Sequence, residues 1–131
     1  MTNGFAVAVA AGSLRSTVTA VTELPHQWTD EGVAVDTAFT GAHLLHLATA
    51  ACVLNDLYRE AARLGVAVDG VRVEAEGGFD TEAWRSTGIA YRVEVDSPDD
   101  PARVADLVAT VDDVAEIPKA MRAGAEVHRL A

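Results

Sequence analysis

The sequence predicts an α+β domain in which one long central helix packs on antiparallel β-strands. Over residues 41–64, apolar side chains recur at helical spacing and cover more than one narrow stripe, as in a helix buried on most sides. Residues 66–79 and 88–95 instead alternate apolar and polar side chains, which is the strand pattern. The 131 residues fit a single domain, residues 1–131, with a self-supporting core.

The N-terminal part of the chain predicts three strands before the long helix. Residues 5–11 and 17–22 are rich in strand-forming residues, and Gly12–Arg15 between them is typical of a hairpin turn. A short third strand is expected at residues 33–38.

The helix at residues 41–64 has a start signal and a stop signal. Thr40 can cap its N-terminus, and Gly65 can end it in the left-handed conformation. Twenty-four residues with a rise of about 1.5 Å each give a rod of about 36 Å. A rod of this length must run through the centre of so small a domain.

The C-terminal part predicts a strand pair followed by two helices. The strand at residues 66–79 is expected to pair with an antiparallel neighbour at residues 88–95. A helix then begins at Pro101, and a short helix follows at residues 118–123. Residues 127–131 are expected to add a final strand.

The composition excludes several classes of partner. The formal net charge is −10, and the ten basic residues are scattered, so a nucleic-acid partner is not expected. No stretch reaches the roughly 20 apolar residues of a membrane span, which predicts a soluble, cytoplasmic protein. The one cysteine cannot close an intrachain disulfide, in agreement with a reducing compartment.

Three segments carry a family resemblance that covers almost the whole chain. They are residues 41–52 (GAHLLHLATAAC), residues 61–68 (AARLGVAV) and the Ile117–Pro118 step. Together with the order of the predicted elements, they resemble the OsmC/Ohr family of peroxide-handling proteins. The resemblance implies an OsmC-like fold in an intertwined homodimer, with the two long helices packed at the dimer centre between curved sheets.

The resemblance also implies a thiol chemistry. In that family the cysteine that matches Cys52 attacks an organic hydroperoxide as a thiolate, and an arginine in an N-terminal turn lowers its pKa. A glutamate just before the helix orients that arginine. A second cysteine, in a Cys-Pro pair, closes a disulfide that a dithiol reduces. Only the thiolate is a good nucleophile, and its sulfenic product needs a thiol to return.

The sequence departs from this pattern at two positions. Ile117 stands where the second cysteine is expected, and Ala42 stands where the glutamate is expected. Arg15 is the only basic residue before Arg59, so it alone matches the arginine. The two-cysteine cycle cannot run within one chain, and a peroxidase built on Cys52 and Arg15 would need an external thiol reductant.

Each of these residues also has a structural interpretation. Cys52 on a buried helix can be a small apolar side chain rather than a nucleophile, and Arg15 can be a solvated turn residue. Asp56, one helical turn after Cys52, would raise the pKa of the thiol, which counts against a reactive thiolate.

His43 and His46 are the candidate substrate-binding residues. They lie one helical turn apart, so both imidazoles can share one face of the helix. They can equally be helix-start residues bound to the backbone or solvent. No metal site is expected, because no further ligand stands at metal-binding spacing, and no cofactor is expected either.

Two functions follow as hypotheses. The first is a single-cysteine thiol peroxidase that reduces organic hydroperoxides through Cys52. The second is a non-redox dimer of the same fold that binds or transforms another small apolar molecule.

Overall fold

The computed structural model describes residues 4–130, which form one five-stranded sheet and three α-helices. The elements in chain order are β1 (Val7–Gly12), β2 (Thr22–Leu24), β3 (Val33–Asp36), α1 (Gly41–Leu64), β4 (Gly70–Phe79), β5 (Ser86–Asp96), α2 (Pro101–Val114) and α3 (Glu116–Ala123). A short 3-10 turn, Arg15–Thr17, follows β1.

The sheet is antiparallel throughout, in the order β2-β3-β1-β4-β5. Val9 in the middle strand pairs with Val35 on one side and Val73 on the other, and all three side chains are buried. The strands β2 and β5 form the two edges.

The long helix α1 packs on β1 and β4, and α2 and α3 pack on α1. Its core side chains include Val53, Leu54 and Leu57, which are almost fully buried. Burying a side chain of this size contributes about 1.5–3 kcal/mol. The predicted α+β class, with a long helix on antiparallel strands, is therefore confirmed.

The ends of α1 match the prediction because both are set by local chemistry. The Thr40 hydroxyl accepts a hydrogen bond of 3.0 Å from the backbone N–H of His43. Gly65 closes the C-terminus with a φ of 71°, a left-handed conformation that costs glycine little.

Two predicted strands are corrected near turns. The strand predicted at residues 17–22 is wrong for most of its length, because Thr17 bonds back to the Leu14 carbonyl and closes the 3-10 turn. The pairing with β3 begins only at Thr22. The strand predicted at residues 66–79 starts at Gly70, since the N–H of Val66 is still engaged with the end of α1 at Ala61.

The final strand predicted at residues 127–131 is wrong for the residues that the structure describes. Residues 127–130 have no regular structure, and Ala131 lies outside the described residues. No helix within residues 4–130 is long and apolar enough to cross a membrane.

Candidate functional site

Cys52 is a free, buried thiol on α1 that faces the start of α3. Its Sγ lies 3.4 Å from Glu116 Oε1 and 3.6 Å from Asp56 Oδ2. The backbone N–H of Ile117 also contacts the sulfur. The S–H group has one proton, so it can donate to only one carboxylate at a time.

The surroundings of the sulfur favour the protonated thiol. The pKa of Cys52 is raised to about 12: burial is the largest cause, the N–H of Ile117 lowers the pKa, and the carboxylates of Asp56 and Glu116 add to the increase. Very little thiolate is therefore present at neutral pH. The sequence-based prediction that Asp56 raises the thiol pKa is confirmed.

Arg59 is the cation that lies close to this group, and sequence reasoning did not select it. Its guanidinium lies 3.2 Å from Asp56 Oδ1 and 3.8 Å from Glu116 Oε2. Asp56 is fully buried, and burial raises the pKa of its carboxyl group, with Glu116 adding to the effect and Arg59 opposing it. The spacing of three residues between Asp56 and Arg59 on one helix was the available signal.

Cys52, Asp56 and Glu116 are also the described residues that could hold a metal ion. One ligand atom from each lies within 4.8 Å of the others, which gives a mixed sulfur and oxygen set. The guanidinium of Arg59 already balances part of the carboxylate charge. The expectation of no metal site stays a prediction.

Arg15 lies in the 3-10 turn and forms an ion pair with Glu23 of β2. Among the residues described, Arg15 binds this carboxylate and not the sulfur of Cys52. The structure of one chain therefore does not bring the two predicted catalytic residues together. Their joint role stays a prediction.

His43 and His46 both contact Phe5, the residue that leads into β1. The ring of Phe5 meets His43 edge-on at 5.2 Å between centroids, and His43 Nδ1 lies 2.7 Å from the Thr40 hydroxyl. His46 is fully buried and donates a hydrogen bond of 3.0 Å from Nδ1 to the Phe5 carbonyl. These contacts fasten the start of β1 to α1, and substrate binding by the pair stays a prediction.

An open cavity of about 600 Å³ lies between α1, β5 and α3. Its walls are mainly apolar and include Leu45, Ile89 and Met121, together with the Ile117–Pro118 step. A volume of this size suits a small organic molecule. Neither His43 nor His46 is among the lining residues.

The family model described as OsmC-like protein matches residues 34–128. The chain belongs to this family. The matched range contains all three segments that carried the resemblance, including Cys52 and the Ile117–Pro118 step. No curated protein matches this OsmC-like sequence at a significant level.

Solved structures share the fold of this OsmC-like protein at low sequence identity. An OsmC-like protein from Mycoplasma pneumoniae has 14% identity and a TM-score of 0.60, over 72% of this chain and 75% of that chain. An OsmC-like hydroperoxide resistance protein from Jannaschia has 13% identity and a TM-score of 0.56, over 96% and 92%. An organic hydroperoxide resistance protein OsmC from Legionella pneumophila has 17% identity and a TM-score of 0.57, over 89% and 88%.

Proposed function

We propose that this OsmC-like protein binds or transforms a small apolar molecule in the cavity between α1, β5 and α3, while Cys52 remains a protonated thiol. The contact of the sulfur with two carboxylates carries this proposal, because carboxylates oppose the thiolate on which peroxide chemistry depends. The second hypothesis from the sequence is therefore preferred to the first.

The neighbour of the sulfur supports the same conclusion. Ile117 contacts Cys52 through its backbone, at the place where the resemblance implies a second cysteine. Its apolar side chain cannot resolve a sulfenic acid, and it lines the cavity instead. Ile117 therefore excludes an intrachain disulfide at this position and adds apolar surface to the cavity.

A single-cysteine peroxidase is the second candidate, with Cys52 as nucleophile, Arg15 as activator and an external thiol as reductant. Two observations favour it. The N–H of Ile117 lowers the pKa of the thiol, and two of the matched structures are hydroperoxide resistance proteins by name. Both candidates share the cavity and differ in the fate of the sulfur.

We also propose that the chain, as one domain over residues 1–131, forms a homodimer. The C-terminal segment leaves Val127 and Leu130 exposed by 91% and 83%, and Phe39 and Trp84 are also largely exposed. Large apolar side chains on a surface are typical of an interface with another chain. Sedimentation equilibrium should give twice the chain mass, and a monomer at micromolar concentration would contradict the proposal.

Oxidation of the thiol separates the two candidates. The protein is treated with cumene hydroperoxide and a sulfenic-acid trap, and its intact mass is measured, with Cys52→Ser as the blank. We expect an unmodified thiol at modest oxidant excess. Stoichiometric trapping would reject the protonated-thiol proposal and establish the peroxidase instead, and loss of that trapping in Arg15→Met would identify Arg15 as the activator.

Ligand binding gives the positive test. Phenylbutanol, a neutral apolar probe, should bind with equal affinity to the wild type and to Cys52→Ser in calorimetry. Although His43 and His46 do not line the cavity, the sequence-based prediction that they bind substrate requires weaker binding after either is replaced by alanine, with His128→Ala as the exposed control. Failure of the wild type to bind would overturn the proposed function, and unchanged binding in both alanine variants would remove the histidines from it.

A further inference from the structure

The apolar cavity between α1, β5 and α3 has a cationic side chain on its wall. Arg122 of α3 is that residue, and among the described residues that line the cavity it is the one with a permanent positive charge. Its side chain is 54% exposed, so a molecule in the cavity can reach the guanidinium. A cation beside apolar walls is suited to a ligand with both an anionic group and a hydrocarbon part.

Contacts outside the cavity fix the position of Arg122. Its NH2 group donates to Asp112 Oδ1 at 3.0 Å, and its NH1 group donates to the Asp112 backbone carbonyl at 3.2 Å. The Tyr91 hydroxyl donates to the same Oδ1 atom. Asp112 on α2 therefore binds one polar side chain of α3, Arg122, and one of β5, Tyr91, that line the cavity.

The guanidinium still has donors to offer. Arginine carries five N–H groups, and the contacts with Asp112 use two of them. The carboxylate of Asp112 is itself engaged by Tyr91, whose hydrogen bond holds the pKa of Asp112 below its usual range. The charge of Asp112 is thus shared between two donors, and the free N–H groups of Arg122 can donate to a second carboxylate.

We propose that Arg122 binds the carboxylate of an apolar monocarboxylate whose hydrocarbon part fills the cavity. The planar N–H fork of a guanidinium matches the two oxygens of a carboxylate. The walls formed by Leu45, Ile89 and Met121 match a hydrocarbon chain or an aromatic ring. The inference deepens the proposed function and rests on it, because it names the ligand class of the same cavity.

A matched pair of probes tests the ligand class. Phenylbutanoate and phenylbutanol share the hydrocarbon part and differ in the charged group, and calorimetry on the full chain gives both affinities. One hydrogen-bonded carboxylate should make the acid bind about tenfold or more tightly than the alcohol. Its affinity should also fall with added salt, while the affinity of the alcohol should not.

Two variants assign the effect to Arg122. Arg122→Met should reduce the affinity for the acid to that for the alcohol and leave the alcohol unchanged. Lys119 lies on the same helix, carries the same charge and does not line the cavity. The control Lys119→Met should therefore bind both probes as the wild type does. Circular dichroism confirms that each variant is folded, and methyl signals of Ile89 and Ile117 report binding within the cavity.

The outcomes separate the two proposals. Equal binding of acid and alcohol without a salt effect would overturn the carboxylate assignment and leave the proposed function in place. Binding of neither probe, or binding that leaves both isoleucine methyl signals unmoved, would overturn both proposals. Absence of binding within the cavity is the result expected if another copy of the chain covers it.

Discussion

Replacement of Glu116 by glutamine tests how the structure controls the thiol. The Glu116 carboxylate lies 3.4 Å from the sulfur of Cys52 and opposes the thiolate. Glu116→Gln keeps the shape of the side chain and removes its charge. We therefore expect the pKa of Cys52 to fall, with burial unchanged.

The size of the fall follows from the distance and the exposure. The Glu116 side chain is 64% exposed, so water screens its charge. In a water-like dielectric, a unit charge at this distance interacts with the thiolate by about 1.2 kcal/mol, which corresponds to about 0.9 pKa unit. Burial, the largest cause of the raised pKa of about 12, should keep the thiol above its ordinary value.

Alkylation by iodoacetamide measures this shift, because only the thiolate reacts. Below the pKa, lowering it by about 0.9 unit increases the thiolate fraction about eightfold, so Glu116→Gln should react faster by about that factor. The wild type should react roughly three orders of magnitude more slowly than N-acetylcysteine at neutral pH. Cys52 is the sole cysteine of the chain, so the mass increase reports this one group.

The control is Glu126→Gln, which removes an equal charge from the exposed C-terminal segment. Its rate should equal that of the wild type. Equal rates for Glu116→Gln and the wild type would refute the reasoning about the carboxylate. A wild-type thiol as reactive as N-acetylcysteine would refute the raised pKa itself.

Two further predictions concern packing. Ile117→Cys should form an intrachain disulfide with Cys52 under mild oxidation, because the backbone of residue 117 contacts the sulfur. The control Val127→Cys, at an exposed position, should retain two free thiols in a thiol titration. Free thiols in both variants would contradict the contact. Gly77→Ala would place a Cβ 2.2 Å from a carbonyl of β5, so urea denaturation should show a loss of about 1–3 kcal/mol. At Gly41 an added Cβ meets nothing within 4 Å, so Gly41→Ala should gain up to about 1 kcal/mol, and equal effects of the two alanines would be inconsistent with this packing.

The elements that the sequence predicted best are those fixed by neighbouring residues. The helix α1 begins after Thr40 and ends before Gly65 as predicted, because its cap, periodicity and stop signal all lie in the local sequence. The strand-forming side chains of residues 17–22 predicted a strand, but Thr17 belongs to the tight turn at Arg15–Thr17. The edge strand β2 depends on its distant partner β3, which a local pattern does not reveal.

The candidate site was predicted only in part for the same reason. The inference that Asp56 acts on Cys52 came from their spacing on one helix, and the structure confirms it. Glu116 approaches from α3, which is 64 residues away from Cys52 in sequence. Arg122 is held at the cavity by its hydrogen bond to Asp112. This bond joins two helices whose relative position no sequence motif specifies.

The edge strand β5 affects how one copy of the chain can associate with another. Within residues 4–130, the eleven-residue strand β5 has a partner on one side only, β4, so a row of its main-chain donors and acceptors is open. Such a border can template the growth of a fibril. Arg92, Glu94 and Asp96 alternate along its exposed face, and their hydrated charges make indiscriminate strand addition unfavourable.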